Sequence, residues 1–125
     1  MDCIFCKIKD YVLENDQSYA VFDKMPVNEG HMLIILKRHA KTFFDITKEE
    51  RDSLFALVDE AKKLLDEKYH PDGYNVGVNC GMVAGQSVPH VHVHVIPRYA
   101  GDTKYPVGGV RGVIPERMGE APVKN

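Results

Sequence analysis

Val88-Pro89-His90-Val91-His92-Val93-His94-Val95-Ile96 decides how this chain folds. Side chains alternate between the two faces of a β-strand, so a strand over 88–96 puts His90, His92 and His94 on one face and Val91, Val93 and Val95 on the other. The valines belong against a core. Two residues of strand advance about 6.6–6.8 Å, which sets the outer histidines about 13 Å apart. One metal with bonds to nitrogen of about 2.0–2.1 Å cannot gather all three. Pro89 and Pro97 fall at the two ends of the strand, where a missing N–H is tolerated. A solvated face that happens to be rich in histidine is the plain alternative. Three histidines in register, directly after the loop Gly81-Met82-Val83-Ala84-Gly85-Gln86-Ser87, argue against it.

Working outward, Tyr74 to Val78 reads as a strand and Asn79 to Ser87 as the loop joining it to the histidine strand. Before them, Leu54, Phe55, Leu57, Val58, Ala61, Leu64 and Leu65 recur at helical spacing over about five turns. Thr47-Lys48-Glu49-Glu50 is a capping box for that helix, and His70-Pro71-Asp72-Gly73 stops it. The apolar run His31 to Leu36 pairs as an antiparallel hairpin with Tyr19-Ala20-Val21-Phe22 across the loop 23–30. Tyr11-Val12-Leu13 adds a short strand after a helical or irregular start. From Ala100 onward glycine and proline recur, so 100–125 reads as an extended C-terminal tail along the surface. Two or three strands, a long helix and two more strands make an antiparallel α+β fold.

The 125 residues suit a single domain spanning 1–125, and 27% charged with 44% hydrophobic residues gives the balance of a globular chain. A net charge of -2 offers no global attraction for DNA or RNA, so no nucleic acid partner is expected. No apolar run reaches the length of a membrane span and no signal-peptide pattern opens the chain; the expectation is a cytoplasmic protein with no membrane partner. Three cysteines make a poor disulfide framework there, leaving metal binding, redox chemistry or simple burial for Cys3 and Cys6.

Cys3-Ile4-Phe5-Cys6 has the spacing of half a zinc site. A redox pair would follow a strand and open a helix, whereas this one stands at the N-terminus. His39, just after the strand 31–36, and His90 would complete a Cys₂His₂ set that closes a structural zinc site. A histidine on a strand attacks phosphorus when one ring nitrogen is unprotonated and the other is held by a hydrogen bond. A second histidine on that face can donate to phosphate oxygens, and the Gly85-Gln86-Ser87 loop can present N–H groups, an amide and a hydroxyl.

Ala84-Gly85-Gln86-Ser87-Val88, His90-Val91-His92-Val93-His94-Val95 and Ile96-Pro97-Arg98, together with Phe22-Asp23, Gly30-His31, Lys37-Arg38-His39 and Asn79, resemble the histidine triad family of nucleotide hydrolases and transferases, in its prokaryotic zinc-containing type. The resemblance covers about residues 3–99. It implies an antiparallel sheet of about five strands with one long helix and a short N-terminal helix, and a nucleotide lying across the sheet. His92 resembles the nucleophile that attacks the α-phosphorus to give a nucleotidyl-histidine intermediate, which water resolves to a nucleoside monophosphate. His94 looks like a phosphate ligand supported by His31; Gln86 and Ser87 look like the α-phosphate loop, with Ser87 near the leaving group; Asn79 looks like a polar contact to phosphate or sugar. Asp23 resembles the acceptor of the ribose hydroxyls, and Ile4, Phe5, Ile8, Val21 and Phe22 the walls around a purine base. Cys3, Cys6, His39 and His90 resemble the family's structural zinc set, and the family implies a homodimer built on the long helix and a sheet edge. The substrate so implied is a purine nucleotide or dinucleotide derivative, either a dinucleoside polyphosphate or a nucleoside phosphoramidate. Nucleotidyl transfer to phosphate, and zinc-stabilised nucleotide binding without turnover, are the alternatives.

Overall fold

The structure, a computed structural model, describes residues 3–118. Its centre is one antiparallel sheet in the order β1-β2-β3-β5-β4, formed by β1 (Leu13–Glu14), β2 (Ser18–Phe22), β3 (Met32–Leu36), β4 (Gly73–Gly77) and β5 (His92–Arg98). The last strand is therefore inserted between β3 and β4. Its register sets Ile35 opposite His92, Leu33 opposite His94 and Gly77 opposite His94 on the other side.

Helix α2 (Lys48–Tyr69) lies along one face. Thr47 accepts from the Glu50 N–H while the Glu50 carboxylate accepts from the Thr47 N–H, the reciprocal cap expected from the sequence. His70 ends the helix in the left-handed conformation at φ 52°. Leu54, Leu57, Ala61 and Leu65 are fully buried against Ala20, Met32, Ile34, Leu36, Val91, Val93 and Val95. Truncating any one of these leucines to alanine leaves a cavity that costs roughly 2–5 kcal/mol. The buried seam is narrower than the sequence pattern: Phe55 lies beside it, exposed, with its ring edge toward Phe43.

The opposite face carries a second apolar layer. Cys3, Phe5, Tyr19, Leu33 and Ile35 pack there with Ile8, Tyr11, Val21 and Val88, beneath the single-turn helix α1 (Ile4–Lys7). The Tyr19 hydroxyl donates to the Phe5 carbonyl and pins α1 to the sheet. At the entry to β3, Gly30 has φ +90°, and a Cβ there would stand 2.9 Å from the Tyr69 ring. Only glycine lets the chain turn into β3 so close under the end of α2.

Several boundaries differ from the sequence reading, those of β2 and β3 by a single residue each. The histidine strand runs over His92–Arg98 rather than 88–96, with Pro97 inside it. The Pro97 carbonyl accepts from the Asn28 amide instead of from β4, so the missing N–H falls where β3 has already ended. The preceding strand is displaced by one residue, and the first reduces to Leu13–Glu14. The tail is not featureless: it forms a 3-10 turn over Gly109–Val113 and the short helix α3 (Pro115–Met118), and Val110, Val113 and Ile114 stay exposed. The part of the expected tail at 119–125 lies outside the described residues. Among the described residues, no helix is long and apolar enough to cross a membrane.

Candidate functional site

The three histidines divide between two tasks. His90 precedes β5 and is fully buried, its ring edge-on to those of Phe5 and His39. Its Nδ1 lies 3.3 Å from Cys3 Sγ, 3.6 Å from Cys6 Sγ and 3.1 Å from His39 Nδ1, and Cys6 Sγ is 3.4 Å from His39 Nδ1. The four donor atoms all lie within 4.8 Å of one another. A tetrahedral ion with bonds of about 2.0–2.3 Å sets neighbouring ligands roughly 3.3–3.8 Å apart, so the cluster has the size of a four-coordinate site. The Nε2 of His90 is 2.6 Å from the Leu36 carbonyl. A carbonyl only accepts; Nε2 therefore carries the proton and Nδ1 points its lone pair into the cluster. These residues fit a metal, as their spacing suggests.

His92 and His94 remain on the strand. Beside His92 stand Ile35 and Tyr19 on successive strands, and beside His94 stand Leu33 and Val21. The Nδ1 of His92 donates to the His90 carbonyl at 2.8 Å, which leaves Nε2 unprotonated. Phe5 presents its ring edge to His92 at 4.9 Å between centroids. His31, from the start of β3, continues the pattern. The Val27 N–H donates to its Nδ1 at 3.1 Å, so its Nε2 bears the proton and donates to His94 Nδ1 at 3.0 Å. His94 is left with its proton on Nε2. One backbone N–H thus sets the tautomers of two rings.

Burial pushes the pKa of His31 and of His92 down, and it pushes His94 down to about 4 with help from the neighbouring His92 and His31 rings. All three are neutral near pH 7. Asp23, His31 and His94 also converge within 4.8 Å. They make a poor metal site, because binding through His31 Nε2 would force a proton onto the Nδ1 that already faces the Val27 N–H. Asp23 stands 3.7 Å from His31 Nε2 and accepts from the Met25 N–H through Oδ1.

The loop before β5 has Gly81 at φ +94° and Gly85 at φ +98°, flanking a 3-10 turn at Met82–Ala84. Ser87 is exposed and Asn79 half-buried, and the side chains of both lack a partner among the described residues. The Gln86 amide is different. It is buried, donates to the carbonyls of Lys41 and Val88, and accepts from the Gly81 N–H.

Of the residues expected around a base, Phe5, Ile8 and Val21 do lie in the apolar layer on the histidine face. Phe22 does not: alternation along β2 turns it with Ala20 toward α2, where Lys68 sits 5.3 Å over its ring. Ile4 is largely exposed. Tyr19, Leu33 and Ile35 share the Phe5 layer and were not singled out from the sequence, although alternation along 31–36 marks Leu33 and Ile35. The Val27 N–H and the Leu36 and His90 carbonyls carry no side-chain signal at all. Arg98 lies farther along β5, held by Asp102 and Asn75.

The chain belongs to the HIT domain family, which it matches over residues 7–101. It is 38% identical over 103 residues to an AP-4-A phosphorylase of Mycobacterium tuberculosis, covering 80% of this chain but only 52% of that protein. It is 36% identical over 104 residues to the adenosine 5'-monophosphoramidase hnt1 of Schizosaccharomyces pombe, covering 78% of this chain and 75% of that one. Among solved structures, a Zn-bound histidine triad family protein from Mycobacterium smegmatis superposes with a TM-score of 0.76 at 31% identity, over 83% of this chain and 80% of the other.

Proposed function

We propose that this chain is a nucleotide hydrolase that cleaves a nucleoside 5'-phosphate derivative through a nucleotidyl-histidine intermediate on His92. The observation that carries the reading is the 2.8 Å hydrogen bond from His92 Nδ1 to the His90 carbonyl, which leaves an unprotonated Nε2 in a buried, neutral ring. Nε2 attacks the α-phosphorus; a P–N bond forms and the bond to the leaving oxygen or nitrogen breaks, its electron pair departing with the leaving group. In this reading the Ser87 hydroxyl passes that group a proton and regains one from the water that resolves the intermediate. The Nε2–H of His94 donates to a non-bridging oxygen, and His31 keeps it in that tautomer. Water then attacks phosphorus, the P–N bond breaks, and a nucleoside monophosphate leaves with neutral His92 restored. Asp23 accepts from the ribose hydroxyls, Asn79 contacts the phosphate or sugar, and Phe5, Ile8 and Val21 face a purine.

Cys3, Cys6, His39 and His90 hold a structural zinc in this reading. Four protein ligands leave no open position, so the ion supplies only rigidity to the segment ahead of His92. The protein is cytoplasmic and a homodimer, its partner meeting α2 and the β4 edge, where Val76 is exposed. Substrates are a dinucleoside polyphosphate or a nucleoside phosphoramidate, the latter supported by the 36% identity to a monophosphoramidase. The likeness to an AP-4-A phosphorylase favours one second reading, in which inorganic phosphate resolves the same intermediate.

Intact-protein mass after a rapid quench tests the proposal, using an adenosine phosphoramidate and a diadenosine polyphosphate, each with and without inorganic phosphate. The expected result is an adduct of one nucleoside monophosphate on the native protein and none on His92→Ala, with turnover lost. Product formed by His92→Ala at the native rate overturns it. Release of a nucleoside diphosphate only when phosphate is present selects the phosphorylase reading.

A further inference from the structure

We propose that Asn28 is a positioning residue for His94, the ring that meets the phosphate in the hydrolase reading. It fastens the 23–30 loop to the corner after β5, and so holds the Val27 N–H from which the His31 and His94 tautomers are set. The inference rests on that reading for the use made of the His94 proton. Residues 24–27 and Glu29 are exposed, whereas Asn28 between them is half-buried. Its side-chain amide donates to the Pro97 carbonyl at 3.0 Å and to Asp102 Oδ2 at 2.7 Å, while its main-chain carbonyl accepts from the His31 N–H at 3.1 Å. One residue thus joins the loop, the end of β5 and the residue ahead of β3. The Tyr99 hydroxyl donates to the Glu29 carbonyl at 2.7 Å and adds a second tie to the same corner.

The acceptor for Asn28 is itself firmly held. Arg98 forks onto Asp102, Nε to Oδ2 and Nη2 to Oδ1 at 2.8 Å each, and the Tyr99 N–H donates to Oδ2 at 3.0 Å. Arg98 is anchored in turn by Nη1, which donates to Asn75 Oδ1 on β4 at 2.7 Å. The Asp102 side chain is 13% exposed, and the Arg98 guanidinium holds its carboxyl well below the usual carboxylate range. A charged acceptor makes a hydrogen bond roughly twice as strong as a neutral one does.

The consequence reaches the rings through the next residue. The Val27 N–H is 3.1 Å from His31 Nδ1; with that donor in place Nδ1 accepts, Nε2 carries the proton, and His94 Nδ1 receives it at 3.0 Å. Without that donor, His31 can carry its proton on Nδ1 and accept through Nε2 from a proton on His94 Nδ1, which leaves His94 Nε2 bare before the phosphate. The hydrogen bond between the two rings survives in either sense, and the Val27 N–H chooses between them. Asp23 Oδ2 stands 3.7 Å from His31 Nε2, beyond hydrogen-bonding distance, and does not fix the proton by itself.

Imidazole nitrogen NMR of the metal-saturated protein, joined to kinetics, tests this. Native protein should show His31 and His94 each as a single tautomer protonated at Nε2. Asn28→Ala removes the tie, and Asn28→Asp keeps its shape but sets one anion against another. In both variants His31 and His94 should show mixed tautomers while His92 keeps its proton on Nδ1. The kcat should fall about 3–10-fold, and the same substitutions in a His31→Ala background should lower it no further. Single Nε2 tautomers retained at His31 and His94 in Asn28→Ala overturn the proposal, as does an equal loss of kcat with and without His31. If that variant does not fold, Asn28→Asp decides in its place. The tautomers are read without turnover, so failure of the hydrolase reading, seen as no adduct on native protein, stays separate from failure of the tether.

Discussion

The carbonyl oxygen of His90 holds Nδ1 of His92 at 2.8 Å, while the ring of the same His90 closes the Cys3–Cys6–His39 cluster. The orientation of the His92 ring, the nucleophile of the proposed mechanism, is therefore set by a residue that the metal would anchor. Neither the cluster nor the His92 ring can shift without the other feeling it.

Chelation is expected to lower both stability and turnover. A ligand present at a thousandfold its Kd contributes about 4 kcal/mol to the folded state, which in a domain of this size is a fall in Tm of about 10–20 °C on removal. Cys6→Ala should reproduce the fall, and added zinc should restore native protein but not the variant. An unchanged Tm after verified metal loss contradicts the structural role.

His31→Ala should cost about tenfold in kcat, the worth of one hydrogen bond that holds His94 in its donor tautomer. Placed in a His94→Ala background, the same change should add almost nothing, because it acts only through that ring. Full additivity in the double-mutant cycle removes the relay from Val27 to His94.

Acid affects the buried rings in a definite direction. The folded pKa of His94 is about 4 against an ordinary 6.5, so the unfolded chain takes up the proton first as the pH falls. Its contribution to stability is whole above pH 6.5 and is lost between 6.5 and about 4. Urea denaturation of metal-saturated protein should show that decline, and His94→Asn should flatten it. Because burial lowers His92 as well, the acid limb of kcat/KM should lie below pH 6.5; a limb above that value contradicts a buried neutral nucleophile.

Glu50 works in the lower range. Its hydrogen bond from Arg38 is the main cause of a pKa near 2, with the Thr47 cap assisting against burial. Stability from this group is present above the ordinary 4.5 and disappears as the pH falls toward 2. Glu50→Ala, which removes half of the capping box, should cost about 1–2 kcal/mol in urea denaturation at pH 7. Thr47→Ala should cost about 1 kcal/mol in the same assay.

Much of this was legible in advance. Period-two alternation assigned Val91, Val93 and Val95 to the helix-side core, and Thr47 with Glu50 marked the start of α2, because each pattern is carried by side chains close in sequence. The same alternation, applied to β2, turns Phe22 away from the histidines; grouping it with Asp23 hid the change of face. The start of β5 was missed because residues 88–91 alternate without pairing, and Pro97 read as a terminator although its bare nitrogen meets no partner strand. Backbone groups were invisible. Nothing in the identity of Val27, Leu36 or Lys41 announces that the first fixes a tautomer, the second directs a lone pair, or the third receives the Gln86 amide.

The insertion of β5 between β3 and β4 also has a bearing on the order of assembly. The hairpin β2–β3 and the helix α2 close over short separations, but Ile35 must wait for His92, and Cys3 for His90, across most of the chain. A growing polypeptide that has emerged only as far as Gly77 lacks both His92, the proposed nucleophile, and His90 of the Cys/His cluster. In the proposed mechanism reactivity arrives with the strand that finishes the sheet, so a half-made copy has nothing to attack with.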